Sequence, residues 1–445
     1  MQMFASFKSD FLDKEIFSKG LISLVLKILG SFFGYVFLWM VTRTLGASAW
    51  GEYVIFLAIL NILSIFSRLG IDKLVLKLVA ASNKNISAIK SIYILSLKLI
   101  LIISVSISGI IFLLSESFAY LIFDNSSVTI IVKLSVLILP LFSVICLNEN
   151  TLRGLKMIKE FAFFQRTAKM LFSVGFFIIY FYFINYSLPI LVVYSYLSAL
   201  IIIFILSSLR VYNLLKNVDC DSSININYKK MLKQSLPMML SSSILLLMAW
   251  TDTLMIGSFM GEYQVGIYNV AVKVALFTTL TISAVNSIVA PKISESFNNG
   301  KSREFKEIIY YSTRLIFYST LPVLLFIFIF PEVILSFFGK EFIVAKMTLL
   351  ILTMSQAINA LSGSVGTILN MTGKQKVYGN ILLIALLINV TLNYLLIPIY
   401  GINGAAIASA SSLIFWNLYS VIYIYRKYHV MTMITCKIKS NEKIH

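Results

Sequence analysis

Residues 188–208 read Leu188-Pro189-Ile190-Leu191-Val192-Val193-Tyr194-Ser195-Tyr196-Leu197-Ser198-Ala199-Leu200-Ile201-Ile202-Ile203-Phe204-Ile205-Leu206-Ser207-Ser208, an apolar run of 21 residues with no charged side chain. At about 1.5 Å of rise per residue, a helix of this length covers the ~30 Å hydrocarbon core of a bilayer. Working outward in both directions, runs of the same kind recur at 21–43, 51–67, 91–114, 127–148, 168–185, 235–257, 265–289, 312–336, 345–367, 377–398 and 401–425. The fold expected is therefore an all-α integral membrane protein with twelve transmembrane helices. The runs are long and continuous, not short and alternating, which excludes a membrane β-barrel. Composition agrees: 59% of the 445 residues are hydrophobic and 13% charged, and the mean hydropathy is +0.91. Soluble domains carry about a quarter charged residues.

The charges that remain are sorted. Lys and Arg number 37 against 19 Asp and Glu, a formal charge of +18. In a soluble protein this excess would suggest nucleic acid, but in a membrane protein it reports orientation, because loops on the cytoplasmic side retain Lys and Arg. With the N-terminus inside, 30 basic residues fall in the cytoplasmic connections and termini and only Arg43, Lys340 and Lys346 outside. Both termini are thus expected in the cytoplasm, and no nucleic-acid partner is called for. The first 20 residues mix Lys8, Asp10, Asp13, Lys14, Glu15 and Lys19 with aromatics, and no small-residue cleavage site follows the first run. That run reads as a retained span, not a signal peptide. Cys146, Cys220 and Cys436 show no metal-ligand spacing, so neither a disulfide framework nor a metal or other cofactor is implied. Both histidines, His429 and His445, lie in the tail, which excludes histidine chemistry within the membrane.

A polar connection at 209–234, containing Asn217-Val218-Asp219-Cys220-Asp221-Ser222-Ser223, divides the chain. The expected organisation is a six-helix half at 1–208, the cytoplasmic linker 209–234, a second six-helix half at 235–425 and a basic tail at 426–445. Internal similarity supports two pseudo-symmetric bundles. Gly51-Glu52-Tyr53 enters the second helix and Gly266-Ile267-Tyr268 the eighth; Leu152-Arg153-Gly154-Leu155-Lys156 follows the fourth and Met371-Thr372-Gly373-Lys374-Gln375 the tenth. The offsets are 215 and 219 residues. Six helices per half is an even number, so the halves share an orientation, the parallel-repeat arrangement of many transporters.

These same residues resemble a known family. Arg43-Thr44-Leu45-Gly46 followed by Gly51-Glu52-Tyr53 resembles the R-x-L-G…G-x-Y signature of polysaccharide flippases. Trp250-Thr251-Asp252-Thr253-Leu254, Gly257 and Gly266-Ile267-Tyr268 resemble its second-half counterpart. The segment from Pro331 to Phe342 and Thr372-Gly373-Lys374 look like two further landmarks. The chain is similar, over nearly its whole length, to O-antigen (Wzx-type) flippases of the multidrug/oligosaccharidyl-lipid/polysaccharide exporter superfamily. The resemblance implies translocation of an undecaprenyl-diphosphate-linked oligosaccharide across the bacterial inner membrane, with membrane lipids, a polysaccharide polymerase and chain-length proteins as partners. It does not specify the sugar.

Charged side chains inside spans are costly and mark functional candidates. Lys27, Lys98, Lys133 and Lys273 are the in-span cations, and Arg43 ends the first helix. Each could line the path of an anionic diphosphate, or snorkel to lipid phosphates or anchor a helix end. Lys27 stands beside Gly30-Ser31-Phe32-Phe33-Gly34, a G-x-x-x-G pattern that permits close helix approach. Asp252 and Lys273 flank the turn at Gly261-Glu262 at similar depth. They suggest either a structural ion pair or a coupling site where a proton or sodium ion competes, with Asp252 the coupling candidate. Asn61, Asn269 and Asn286 could bond sugar hydroxyls, or bond neighbouring helices. The stretch from Pro291 to Arg314 alternates charged and apolar residues, which predicts an amphipathic helix along the interface.

Four in-span lysines against Asp252 favour an anionic substrate, unlike a multidrug antiporter of the same superfamily. Lipid II flippases usually add two C-terminal helices to this pattern. A membrane polysaccharide polymerase or other enzyme would need a catalytic loop outside the bilayer, and every expected periplasmic connection is about a dozen residues or fewer. With no Gly-rich phosphate loop, no paired carboxylates and no nucleophile beside a base, the reading is a secondary transporter working by alternating access, and not an enzyme.

Overall fold

The computed structural model describes residues 22, 25–82, 85–123, 128–183, 188–219 and 228–433, with nothing said of the side chains of 122 and 240–242. Among the described residues the regular structure is helical throughout, and twelve helices are long and apolar enough to cross a membrane. The chain divides into two compact units. The first holds the described residues up to Leu246 together with Gly261–Gly266; the second holds Leu247–Met260 and the residues from Ile267 onward.

In the first unit the helices are α1 (Val25–Thr44), α2 (Gly46–Arg68), α3 (Ile71–Ala81), α4 (Ile86–Leu113), α5 (Ser115–Phe123), α6 (Val128–Gly154), α7 (Ile158–Phe183) and α8 (Leu191–Leu215). The α6 helix is its axis, packed against α2, α3, α4 and α8, and it carries the unit's longest series of buried residues. Its Pro140 is tolerated within a spanning helix because neighbouring helices re-satisfy the freed backbone. The G-x-x-x-G of α1 works as a packing face. A methyl group on Gly30 would press on the backbone at Arg166 and Thr167, and one on Gly34 would touch Met170, all on α7.

The α9 helix (Tyr228–Met260) contributes Ser243–Met260 as a span. The next helix, α10 (Glu262–Ala275), has its residues up to Gly266 in the first unit and the rest in the second, which continues with α11 (Thr279–Asn298), α12 (Ser302–Ile329), α13 (Pro331–Phe338), α14 (Lys346–Ser362), α15 (Val365–Met371), α16 (Gln375–Tyr400) and α17 (Ile402–Tyr428). Here α17 is the axis, packed on α14 and α16. The α14–α15 break falls at Gly363, whose φ of +71° suits glycine and whose missing side chain makes room for the Thr313 hydroxyl of α12.

The internal repeat is visible in the element order. α12 starts 216 residues after α4, α13 starts 216 after α5, and α16 starts 217 after α7. The short helices α5 and α13 therefore occupy corresponding places after the third span of each set.

Three sequence expectations need correction. Residues Pro291 to Arg314 do not form a separate interfacial helix. The α11 helix continues through Pro291 to Asn298, a turn at Gly300 follows, and α12 begins at Ser302. The alternating charges belong to the ends of two long helices. Second, the linker 209–234 is narrower than expected, since α8 runs to Leu215 and α9 begins at Tyr228; residues 220–227, with Cys220, lie outside the described residues. Third, α17 runs into the expected tail as far as Tyr428. Lys8, Lys14, Lys19, Cys436 and His445 lie outside the described residues.

Candidate functional site

Within the second unit, Asp252 stands midway along the span Ser243–Met260 and is 6% exposed. An isolated carboxylate cannot be held in such a place without partners. Four side chains from three other helices supply them. Tyr268 of α10 donates its hydroxyl to Oδ2 at 2.8 Å. Asn389 and Asn393 of α16 each donate an amide to Oδ1, at 3.0 and 2.7 Å. Ser409 of α17 donates to Oδ2. The two asparagines are one helical turn apart, so they share a face of α16, and Asn393 also donates to Asn389 Oδ1 at 3.2 Å.

All four donors are neutral. Charge-assisted hydrogen bonds of this kind each contribute about 1.5–3 kcal/mol, enough together to keep an anion buried with no basic residue bonded to it. Asn393 Oδ1 is buried with no hydrogen-bond partner among the described residues. The carboxylate is thus enclosed by neutral amide and hydroxyl donors, with one buried amide oxygen, Asn393 Oδ1, left over. Lys273, which the sequence sets opposite Asp252, is half-buried, and the four bonds described at the Asp252 carboxylate come from Tyr268, Asn389, Asn393 and Ser409.

The 215-residue offset that pairs Gly51 with Gly266 and Tyr53 with Tyr268 also pairs Phe37 with Asp252. In the first unit that position is aromatic. Phe37 packs edge-on against Tyr53 at 5.4 Å and Phe177 at 5.9 Å, and Tyr53 packs on Tyr196 at 5.5 Å. The polar cage is confined to the second repeat.

The profile described as polysaccharide biosynthesis protein matches residues 16–297, well over half of the chain. The chain belongs to the polysaccharide biosynthesis protein family. A second profile, MatE, matches residues 237–395. The probable low-salt glycan biosynthesis flippase Agl15 of Haloferax volcanii is 28% identical over 165 residues, which cover 37% of this chain and 35% of that one. The capsular polysaccharide biosynthesis protein CapF of Staphylococcus aureus is 27% identical over 214 residues, covering 47% and 54%. The matched segments thus span about a third to a half of these relatives. Among solved structures, a multidrug resistance MATE family transporter of the MOP superfamily in an inward-facing conformation superposes with a TM-score of 0.71 at 15% identity, covering 92% of this chain and 98% of that one. The lipid II flippase MurJ, in an inward closed conformation, gives 0.70 at 13% identity, covering 93% and 87%. At those identities the likeness is one of fold.

In this polysaccharide biosynthesis protein most of the expected cations belong to the first unit. Lys27, Arg43 and Lys98 are exposed positions of the first unit. Lys133 is 3.4 Å from Glu116 of α5, which is itself 83% exposed. Asn61 is half-buried and donates to the Leu57 carbonyl of its own helix at 2.7 Å. Asn269 is buried beside Tyr268, and Asn286 Oδ1 is buried with no hydrogen-bond partner among the described residues.

A second set of buried charges lies in the first unit, and sequence reasoning missed it. Lys169 of α7 pairs with Glu149 of α6 at 2.8 Å, the side chains 9% and 7% exposed, and Lys169 also lies 5.3 Å from the Phe142 ring centre. Beside them Arg68 of α2 pairs with Asp72 of α3 at 3.0 Å, and Asn150 donates to the same carboxylate at 3.1 Å. Arg68, Lys169 and Arg314 are among the 30 basic residues that the sequence assigns to the cytoplasmic connections, and Asp252 is the acid that it singles out within the spans. The α6 helix continues to Gly154, placing Glu149 inside a span. Arg314 lies within α12 with its guanidinium 4.1 Å from the Tyr310 ring centre. Its Nε is buried without a hydrogen-bond partner among the described residues.

Proposed function

We propose that this protein is a flippase that moves an oligosaccharide carried on undecaprenyl diphosphate, an O-antigen or similar repeat unit, from the cytoplasmic to the periplasmic leaflet of the plasma membrane. It works by alternating access, with both termini in the cytoplasm, as a transporter and not as an enzyme. Family membership supports the substrate class, since the curated relatives include a flippase of glycan biosynthesis and a capsular polysaccharide biosynthesis protein.

One observation carries the mechanism: a buried, mid-span carboxylate is held by four neutral donors. A structural carboxylate at that depth would be expected to carry a basic partner, as Glu149 does. One held by neutral groups can exchange a proton or a sodium ion, and the ion gradient then drives transport. With Lys169 neutralised by Glu149, the excess of in-span cations still favours an anionic headgroup, and Arg314 joins Lys27, Lys98, Lys133, Lys273 and Arg43 as a candidate for holding it. A multidrug antiporter of the same fold would be expected to present acidic groups to its substrate instead.

The test is a deletion strain. Lipid-linked oligosaccharide should accumulate on the cytoplasmic leaflet, and a plasmid copy should clear it. Absence of accumulation would sink the flippase assignment. In proteoliposomes, flux indifferent to imposed proton and sodium gradients would remove the coupling role of Asp252 while leaving the substrate reading intact.

A further inference from the structure

A groove of about 290 Å³ opens in the first unit between the start of α1, the start of α7 and the end of α8. Its apolar lining comes from Ile22, from Leu26 of α1, and from Phe163 and Phe164 of α7. Three charged side chains complete its lining, Lys159, Glu160 and Arg210. Arg210 binds Glu160 through one terminal nitrogen at 3.1 Å. A guanidinium has five N–H donors, so most of its hydrogen-bonding capacity is still available. Lys159 is exposed and has no ion-pair partner among the described residues.

The groove wall is held in shape. Residues Phe163–Thr167 form a π-helical turn, a feature that recurs at functional sites. The Thr167 hydroxyl donates to the Leu26 carbonyl at 2.7 Å, and Gly30 lets α1 close onto Thr167. The two phenylalanines meet edge-on at 5.4 Å. Lys159 and Arg210 are the basic residues that line the groove, against the single carboxylate of Glu160.

We propose that this groove binds one anionic phospholipid of the surrounding membrane, an acyl chain lying along Ile22, Leu26, Phe163 and Phe164 and the phosphate held by Lys159 and Arg210. Charge complementarity selects the occupant. The apolar lining accepts any acyl chain, but the two basic side chains distinguish a headgroup with net negative charge from a zwitterionic one. An adjacent acid, Glu160, competes for Arg210 and weakens the site. The proposal does not depend on the transport reading.

Native mass spectrometry of the purified full chain, supplied with equal phosphatidylglycerol and phosphatidylcholine, tests it. Wild type should retain phosphatidylglycerol at least about fivefold over phosphatidylcholine. Lys159→Gln with Arg210→Gln should bring the two to parity, Lys159→Arg should keep the preference, and Glu160→Gln should raise it. Leu26→Trp, which fills the groove without changing charge, should also reduce retention, a control that separates binding from any folding defect of the charge variants. Equal retention of both lipids by wild type, or unchanged retention in a monodisperse Lys159→Gln/Arg210→Gln protein, would overturn the proposal. So would displacement of phosphatidylglycerol by equimolar undecaprenyl phosphate, which would assign the groove to the substrate's chain. Transport is not the readout, so failure here leaves the flippase reading standing.

Discussion

Asp252 and Glu149 are two buried carboxylates held in opposite ways. Glu149 is neutralised by Lys169 at 2.8 Å, whereas Asp252 is bonded by Tyr268, Asn389, Asn393 and Ser409. The difference predicts different mutants. Glu149→Gln strands the Lys169 ammonium in the interior and should cost about 3–5 kcal/mol, with much of that recovered by replacing both residues with Met. Melting of the purified protein in detergent measures it; a single mutant as stable as wild type would mean the pair is solvated. Asp252→Asn keeps an acceptor for the neutral donors, so it should fold normally and change stability by no more than about 1–2 kcal/mol. It should nevertheless abolish the response of flux to an ion gradient. A variant that still accelerates tenfold under the gradient would show that coupling lies elsewhere. Asp252 was legible in the sequence because a lone acid in an apolar run stands out. Its asparagine and serine partners were not, since they lie well over a hundred residues further along and nothing local marks them. Glu149 escaped for another reason: hydropathy ends a span at Asn148-Glu149-Asn150, while the helix carries on to Gly154.

Among the elements, the two G-x-Y motifs have a packing role that their sequence alone did not disclose. Gly51 of α2 lies against the Glu262 carbonyl, and Gly266 of α10 lies against the Ala47 carbonyl. Each glycine meets backbone, not a side chain that could swing aside, so any Cβ forces the helices apart. Gly51→Val should therefore insert into the membrane at wild-type level but lose stability by about 1–3 kcal/mol and fail to complement a deletion strain. Gly175 provides the control: nothing lies within 4 Å of where its Cβ would be, so Gly175→Ala should be neutral or stabilise by about 0.5–1 kcal/mol. If the two substitutions behaved alike in melting and complementation, the close approach of α2 and α10 would have no functional weight. Long apolar runs made the spanning helices readable, because a bilayer imposes one length and one polarity on each. The short helices α5, α13 and α15 and the 300-turn between α11 and α12 were not readable, since at helix ends charge and amphipathicity suit a loop, an interfacial helix or a continuing span equally well.

At the scale of the whole molecule, the repeat preserves the order of elements while the chemistry diverges. The helices α12, α13 and α16 start 216 or 217 residues after α4, α5 and α7, yet the position of Asp252 is taken in the first repeat by Phe37, packed among Tyr53, Phe177 and Trp50. Of these two corresponding positions, only the one in the second repeat carries a carboxylate with polar partners. A ring cluster has no carboxylate to take up a proton or to hold a sodium ion. The consequence is a stoichiometry. If Asp252 is the coupling site, flux should rise hyperbolically with the driving ion, with a Hill coefficient of about one, because a single site cannot give cooperative activation. Varying sodium at fixed pH, and then pH without sodium, in proteoliposomes identifies the ion and gives the coefficient in the same series. A coefficient near two would require a second ion site outside the Asp252 cage, and the buried Arg68–Asp72 and Lys169–Glu149 charges of the first unit would be the place to seek it. Phe37→Asp should not create one. It would set a carboxylate among the aromatic rings of Tyr53, Phe177 and Trp50, so the expected result is loss of folded protein and no second phase of ion dependence.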